Sequence, residues 1–363
     1  MTSDAEPDQF PGAPHPRVRD ALFGLEEAER EFLDAYRSGR MHHAWLIGGP
    51  QGIGKATFAY RAARFLLTHT DPQAQAVRDA RTLATDAASG AAHGVAAKIA
   101  ALSHPNLVVL RRAPATDKKA ASTVIPVDAV RRALALFAST AGNDGYRICI
   151  VDSVEDLNIA SANALLKVIE EPPPRALFLL VAHAPGRTLA TIRSRCRRLL
   201  LRPLPEADVA RAVRALPSPF GDVDEAALSR AAALSRGSVR AALGLVDAHT
   251  IALVERVRAM LDRLPESDPA AVLELAEAMT GRDAEADFAV LMSTVHDWIA
   301  ELIHKRAMLG PAHLARFVEV WDNIARSARE TQVLNLDRRP LVLTLFGDLG
   351  HAIPAGRSGT PAA

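Results

Sequence analysis

The sequence predicts an α/β fold: a parallel sheet covered by helices on both faces, followed by two helical regions. Three observations predict it. Short apolar runs alternate with amphipathic stretches up to residue 203, and strand signals vanish after Pro203-Leu204-Pro205. One apolar run also leads directly through a glycine-rich loop into a helix. Strands that alternate with helices are joined by crossovers, and crossovers make neighbouring strands parallel.

Residues 1–17 contain four prolines and are expected to be disordered, as is the Pro-, Gly-, Ser- and Ala-rich tail 354–363. Apolar and charged residues alternate with helical spacing from Gly24 to Arg37. Ala44-Trp45-Leu46-Ile47 reads as a buried strand stopped by Gly48-Gly49-Pro50. A helix follows from Lys55 to Thr68, with Phe58, Ala62, Phe65 and Leu66 on its apolar side. Residues 71–103 are Ala-rich and poor in breakers, which predicts helix.

The alternation then repeats. Leu107-Val108-Val109-Leu110 reads as a strand, followed by a basic loop through Lys118-Lys119. Pro126 opens a helix that runs to Ser139, because a first-turn proline loses no helical hydrogen bond. Tyr146–Val151 is the next strand, and Asn158–Glu170 a helix stopped by Pro172-Pro173-Pro174. Leu177–Val181 and Cys196–Leu201 supply two more strands. The expected organisation is an α/β domain over 18–203, a small helical unit over 204–249 and a larger helical region over 250–353.

Composition narrows the function classes. Hydrophobic residues make up 49% of the 363 and charged residues 23%, as in ordinary globular chains. The net charge of +1 gives no global field that would draw the chain onto DNA. No apolar run approaches the ~20 residues of a membrane helix. The first residues lack the basic-then-apolar order of a signal peptide. Cys149 sits in an apolar run and reads as a small buried hydrophobe, and with Cys196 it is one of only two cysteines. A soluble cytoplasmic protein without disulfides is expected.

Gly49-Pro50-Gln51-Gly52-Ile53-Gly54-Lys55 fits G-x-x-x-x-G-K between a strand and a helix. Glycines let the backbone wrap an anion, so that successive N–H groups and the helix N-terminus point at a phosphate. Lys55 would neutralise the outer phosphates. The next position should carry a hydroxyl for Mg²⁺, yet it is Ala56, with Thr57 one place later and turned by about 100° on the helix. Ile148-Cys149-Ile150-Val151-Asp152 is an apolar strand ending in an acid, suited to hold Mg²⁺ through water, although an Asp there can also simply cap a loop. A Glu to orient attacking water would follow it in a hydrolase, but Ser153 follows and Glu155 comes two positions later. Loss of such a group commonly costs about 10²–10⁴ in rate.

Arg193-Ser194-Arg195-Cys196-Arg197-Arg198 is dense in guanidinium groups, which match phosphate oxygens. Composition alone does not separate it from a solvated basic turn. The His42-His43 pair beside a buried strand reads as structural. Arg111-Arg112 and Lys118-Lys119 read as solvated charge, with DNA contact as the alternative.

Four segments in chain order resemble the clamp-loader subunits of bacterial DNA polymerase III, the delta-prime and gamma/tau family. They are His43-Ala44-Trp45-Leu46 running into Gly49–Lys55, then Val151-Asp152, then Asn163-Ala164-Leu165-Leu166-Lys167-Val168-Ile169-Glu170-Glu171-Pro172-Pro173, then Ser194-Arg195-Cys196. The resemblance spans roughly residues 20–245. It implies a P-loop α/β domain of the AAA+ type, a helical lid over 204–249 and an all-α collar over 250–353.

Within the family, Ser-Arg-Cys carries an arginine finger. The resemblance therefore implies that Arg195, flanked by Ser194 and Cys196, reaches the γ-phosphate of ATP on a neighbouring subunit. Gly237-Ser238-Val239-Arg240 fits a lid-helix sensor, which makes Arg240 a contact to the chain's own nucleotide; an exposed helix-surface arginine is the alternative. Gly49, Pro50, Gly52, Gly54, Lys55, Ala56, Thr57 and Asp152 complete the expected nucleotide site. ATP or ADP is the expected ligand, with Mg²⁺ only alongside nucleotide.

Two departures refine the expectation. Many family members carry a four-cysteine zinc module, but no cysteine lies between Lys55 and Ile148, so zinc is not expected. Ala56 and Ser153 argue against a full motor and favour the delta-prime branch: a stator in the DNA-directed DNA polymerase (nucleotidyltransferase) holoenzyme, not an active ATPase alone. Its implied partners are gamma/tau and delta subunits and, through the assembly, the beta sliding clamp and primed DNA, with no membrane. The competing readings are an active gamma/tau-like or other AAA+ ATPase, and a nucleotide-sensing scaffold unrelated to replication.

Overall fold

The computed structural model describes residues 6, 9–86, 90–114, 122–138, 145–281, 284–306, 319–324, 326–328, 330–331 and 336–353. The expected basic loop at Lys118-Lys119, the tail 354–363 and most of residues 1–8 lie outside them. The chain divides into two compact units, Met1–Val246 and Asp247–Ala363.

Five parallel strands form the sheet of the first unit: β1 (Ala44–Gly48), β2 (Leu107–Arg111), β3 (Arg147–Asp152), β4 (Ala176–Ala182) and β5 (Arg197–Leu200), in the order β2-β3-β4-β1-β5. β1 pairs with β4 on one side and β5 on the other, Leu46 standing between Leu180 and Arg198. The apolar runs are continuous because both faces are covered. Alternate residues go to opposite cores: Trp45, Ile47, Ile150, Leu179 and Val181 to one, Leu46, Cys149, Val151, Phe178 and Leu180 to the other.

The helices of this unit are α1 (Glu26–Arg37), α2 (Lys55–Thr68), α3 (Gln75–Asp79), α4 (Gly90–Ala100), α5 (Val127–Ala138), α6 (Ile159–Glu170), α7 (Ala190–Arg193), α8 (Glu206–Arg214), α9 (Glu225–Leu234) and α10 (Val239–Leu245). Helix α6 starts where the Asn158 side chain accepts the Ser161 N–H, and α9 where Asp224 accepts from Ala226 and Ala227. Val209, Val213, Leu228 and Ala242 of α8–α10 belong to the same core as Trp45 and Phe58. The region expected as a lid is thus packed into the unit that carries the sheet.

Two expectations need correction. Residues 71–103 hold two separate helices, α3 and α4, rather than continuous helix. Between them the chain is drawn away: Arg37 donates from Nε to the Val77 carbonyl at 2.9 Å and from its other nitrogen to the Ala80 carbonyl, while the Leu83 N–H donates to Glu29 at 3.0 Å. Those long-range bonds outweigh the local helical preference of an Ala-rich run. The N-terminal segment expected to be disordered is packed from residue 9 onward, with Ala13 and His15 buried and a short 3₁₀ turn at Pro16–Val18. Glu6 ties it down by ion pairs to Arg17 and to Arg111 at the end of β2, which hold its carboxyl at about 2 against the cost of burial. Arg111 is therefore engaged with Glu6, not solvated, and the neighbouring Arg112 pairs with Asp156 at 3.1 Å.

The second unit contains α11 (Ala248–Asp262), α12 (Pro269–Ala278), α13 (Glu285–Arg306) and α14 (Arg339–Ala352). Val257, Leu261, Leu275, Leu291, Val295 and Leu345 are among its core residues. The Trp298 indole N–H donates to Asp262 at 2.7 Å and joins α13 to α11.

Glu29 makes a buried ion pair in the first unit. It is 2% exposed and accepts from Arg61 Nε at 2.8 Å as well as from Leu83. Burial pushes its carboxyl up, while Arg61 opposes that shift. Glu29→Ala should cost about 3 kcal/mol by leaving the buried Arg61 guanidinium with only the more distant Asp20 carboxylate at 3.9 Å, and Glu29→Gln about 1–2 kcal/mol. Hydrogen-exchange protection of the β1 and β4 amides measures both, and an unchanged Glu29→Ala would show the pair to be dispensable.

Candidate functional site

The site is built at the C-terminal end of β1, where the chain leaves the sheet as Gly49–Gly54 and enters α2. Gly52 (φ +82°) and Gly54 (φ +95°) take left-handed backbone that side chains rarely adopt. A Cβ on Gly52 would also lie 2.3 Å from Ser238 Oγ and 2.5 Å from Arg240 Cβ, so the loop tolerates only glycine there. Gly54 is the N-cap of α2 and gives it no side-chain cap. The first-turn N–H groups of a 14-residue helix are left for a ligand, at the end of the macrodipole that attracts anions.

Lys55 begins α2 and is 3% exposed. Its ammonium donates to the Gly49 carbonyl at 2.7 Å and to the Pro50 carbonyl, folding back onto its own loop. Burial pushes the amine down to about 8, with Asp152 and Glu155 opposing. Asp152 ends β3, is 5% exposed and lines the same pocket as Lys55, Ala56 and Thr57. The pocket has a volume of about 190 Å³.

Helix α10, in the same unit, closes the loop from the other side. Ser238 Oγ donates to the Gln51 carbonyl at 2.9 Å and accepts from the Ala241 N–H, so its one side chain both caps α10 and docks it. The Arg240 N–H donates to the Gly52 carbonyl at 3.4 Å, and its guanidinium lies over the Phe10 ring, 5.6 Å from the centroid. Phe10 itself packs edge-on against Phe220. Arg240 thus lines the pocket beside the glycine loop and is half-buried.

The carboxylates that follow β3 are committed elsewhere. Glu155 Oε1 accepts the N–H groups of His183 and Ala184, both at 2.7 Å, and so clamps the end of β4. Asp156 pairs with Arg112 and forms a capping box with Ser153 around the 3₁₀ turn Val154–Asp156. Ser153, where a water-orienting Glu was sought, spends its hydroxyl on that turn at 3.4 Å from Asp156.

Arg195 does not line this pocket. It lies just beyond α7, with Nε paired to Glu170 at the end of α6 (2.9 Å) and another nitrogen donating to the Thr191 carbonyl at 3.1 Å. Its side chain is 40% exposed. Ser194 donates to the same carbonyl at 3.1 Å. Cys196 is half-buried, and burial pushes its thiol up to about 12, as it does for Cys149. Among the described residues no three His, Cys, Asp or Glu side chains gather to hold a metal ion. His42 and His43 stack on one another at 4.4 Å, and His42 bonds the Ala44 backbone, a structural use.

Sequence reasoning missed several residues that line the pocket: Phe10, Arg19, Arg112 and His183. His183 follows β4 directly, and position after a parallel strand beside the glycine loop was a usable signal. Burial, and next Lys55, hold its imidazole below the ordinary value. The N-terminal residues carried no periodic signal.

Comparison with known proteins gives a family. The profile described as "DNA polymerase III, delta subunit" matches residues 24–205. DNA polymerase III subunit delta' of Pseudomonas aeruginosa is 34% identical over 198 residues, 54% of this chain and 53% of that protein. The subunit of the same name from Escherichia coli K12 is 36% identical over 215 residues, 59% and 58% of the two chains. The chain thus spans little more than half the length of these curated relatives. The solved structure of the Thermotoga maritima RuvB Holliday junction branch migration motor aligns with a TM-score of 0.38 at 18% identity, covering 81% of this chain and 86% of that one.

The buried ammonium makes a pH prediction. In the free protein Lys55 loses its proton as pH rises through about 8, whereas a bound phosphate chain keeps it charged. Pyrophosphate affinity should therefore be level below that point and fall by up to about tenfold per pH unit above it. Calorimetric titration from about pH 7 to about pH 10 checks this, and a level profile throughout would remove Lys55 as the anchor.

Proposed function

The chain belongs to the DNA polymerase III delta-subunit family, and from that premise we propose that it is a delta-prime-type clamp-loader subunit, a stator for the loading of a sliding clamp onto primed DNA. Its partners would be gamma/tau and delta subunits, with the clamp and primed DNA engaged through the assembly. One observation carries the reading. The guanidinium of the Ser-Arg-Cys motif stands at the surface outside the chain's own pocket, held by Glu170, the Thr191 carbonyl and the Ser194 hydroxyl.

On this proposal the subunit works in two places. At its own pocket the glycine loop, the α2 N-terminus, Lys55 and Arg240 would grip the phosphates of ATP or ADP without turning them over. Ala56 lacks the hydroxyl, and Glu155 and Asp156 are bonded internally, so the residues present do not suit a magnesium ion or an oriented water. At the neighbouring subunit Arg195 would leave Glu170 and present its charge to the γ-phosphate, where negative charge develops during cleavage.

A second reading, an active gamma/tau-like ATPase, is favoured by the retained Lys55 and by Thr57 in the pocket lining. Two experiments separate them. Arg195→Ala in the reconstituted loader should cut hydrolysis at the adjoining site by about a thousandfold while assembly on a sizing column is unchanged. The isolated protein should release no phosphate from ATP above background. DNA-stimulated turnover that Lys55→Ala abolishes would establish the second reading.

A further inference from the structure

We infer that this pocket takes its nucleoside di- or triphosphate without a metal ion, and that Arg19 of the N-terminal segment supplies part of the positive charge that magnesium brings elsewhere. The inference deepens the proposed reading of the pocket and rests on it.

The donor set is the first argument. A divalent cation beside a phosphate chain needs hydroxyl and carboxylate oxygens that are not otherwise used. Ala56 offers none. Glu155 Oε1 is occupied by two backbone donors at 2.7 Å, and Asp156 is held by Arg112 and by the Ser153 capping box. Of the three acids that follow or end β3, Asp152 and Asp156 line the pocket; Asp156 is taken by Arg112 and the capping box, which leaves Asp152, close enough to Lys55 to raise that amine.

Arg19 is the second. It lines the pocket from the segment preceding α1 and is partly buried. Among the described residues no carboxylate pairs with it. Its neighbours differ: Arg17 is paired with Glu6, Arg61 with Glu29 and Arg64 with Asp20. Burial without compensation pushes the Arg19 guanidinium down from its ordinary value. A desolvated fork of donors in a cavity that also holds Lys55, Arg240 and the bare N-terminus of α2 matches a phosphate chain. Pro14, Leu22 and Leu243 add a stretch of apolar wall that suits a nucleobase, beside the polar Arg112, Asp156 and His183.

The test is equilibrium binding of a fluorescent ADP analogue to the full chain, in EDTA and in excess Mg²⁺, with tripolyphosphate and adenosine as competitors. The wild-type affinity should differ by less than about threefold between the two conditions. Arg19→Gln should weaken ADP and tripolyphosphate by about tenfold or more and leave adenosine unchanged, with Arg19→Lys restoring part of the loss. Ala56→Thr should introduce a Mg²⁺ dependence absent from the wild type. Melting curves of the free variants distinguish lost binding from lost folding, since Arg19 pairs with no carboxylate among the described residues. The inference is overturned by a larger Mg²⁺ effect in the wild type, by normal binding in Arg19→Gln, or by no binding of any phosphate compound. None of these results touches the Arg195 experiment in the assembled loader, so each reading can fail alone.

Discussion

A strand buried on both faces can present chemistry only at its ends, and β1 is such a strand. With β4 and β5 on either side and a core above and below, every residue from Ala44 to Ile47 is committed to packing. The chain regains freedom at Gly48 and Gly49, and there the glycine loop begins. Strand direction does the rest. In a wholly parallel sheet the ends of β1, β3 and β4 lie on one edge, which brings Lys55, Asp152 and His183 into one pocket though they are far apart in sequence.

That pocket shows how the same residue types can serve binding or cleavage according to their bonds. A carboxylate free to polarise water makes a hydrolase; one that accepts two backbone donors makes a brace. Glu155 is a brace. Its two bonds to His183 and Ala184 hold the end of β4 against the turn after β3, so the edge of the sheet is stiffened at the expense of an acid that water could have used. Lys55 folded onto its loop carbonyls and Arg240 on Phe10 are likewise positions held before any ligand arrives. A phosphate chain would replace these carbonyl and ring contacts with contacts between opposite full charges.

Much of this was legible in the residues. The strands were plain because double-sided burial leaves unbroken apolar runs, and α2, α5 and α6 because glycine, proline and asparagine mark their starts. The glycine loop, Lys55 and Asp152 could be placed because each sits at a strand end. What stayed hidden depends on contacts between distant segments. Glu155 reads as a near miss for a catalytic acid until β4 is set beside it. Residues 71–103 read as helix until Arg37 takes the Val77 and Ala80 carbonyls. Arg19 belongs to a proline-rich stretch without periodicity, and nothing local announces that Glu6, Phe10 and His15 will anchor that stretch beside the loop.

The pairing of Arg195 with Glu170 sets how readily that guanidinium can move. Both partners are close to half exposed, and contacts of that kind are worth about 0–1 kcal/mol. The guanidinium is therefore parked rather than locked. A half-exposed pair of this kind separates at a cost that a single good phosphate contact exceeds. Two sequence blocks that lie 25 positions apart, one ending α6 and one following α7, thus meet in a single ion pair loose enough to open and close without disturbing the core.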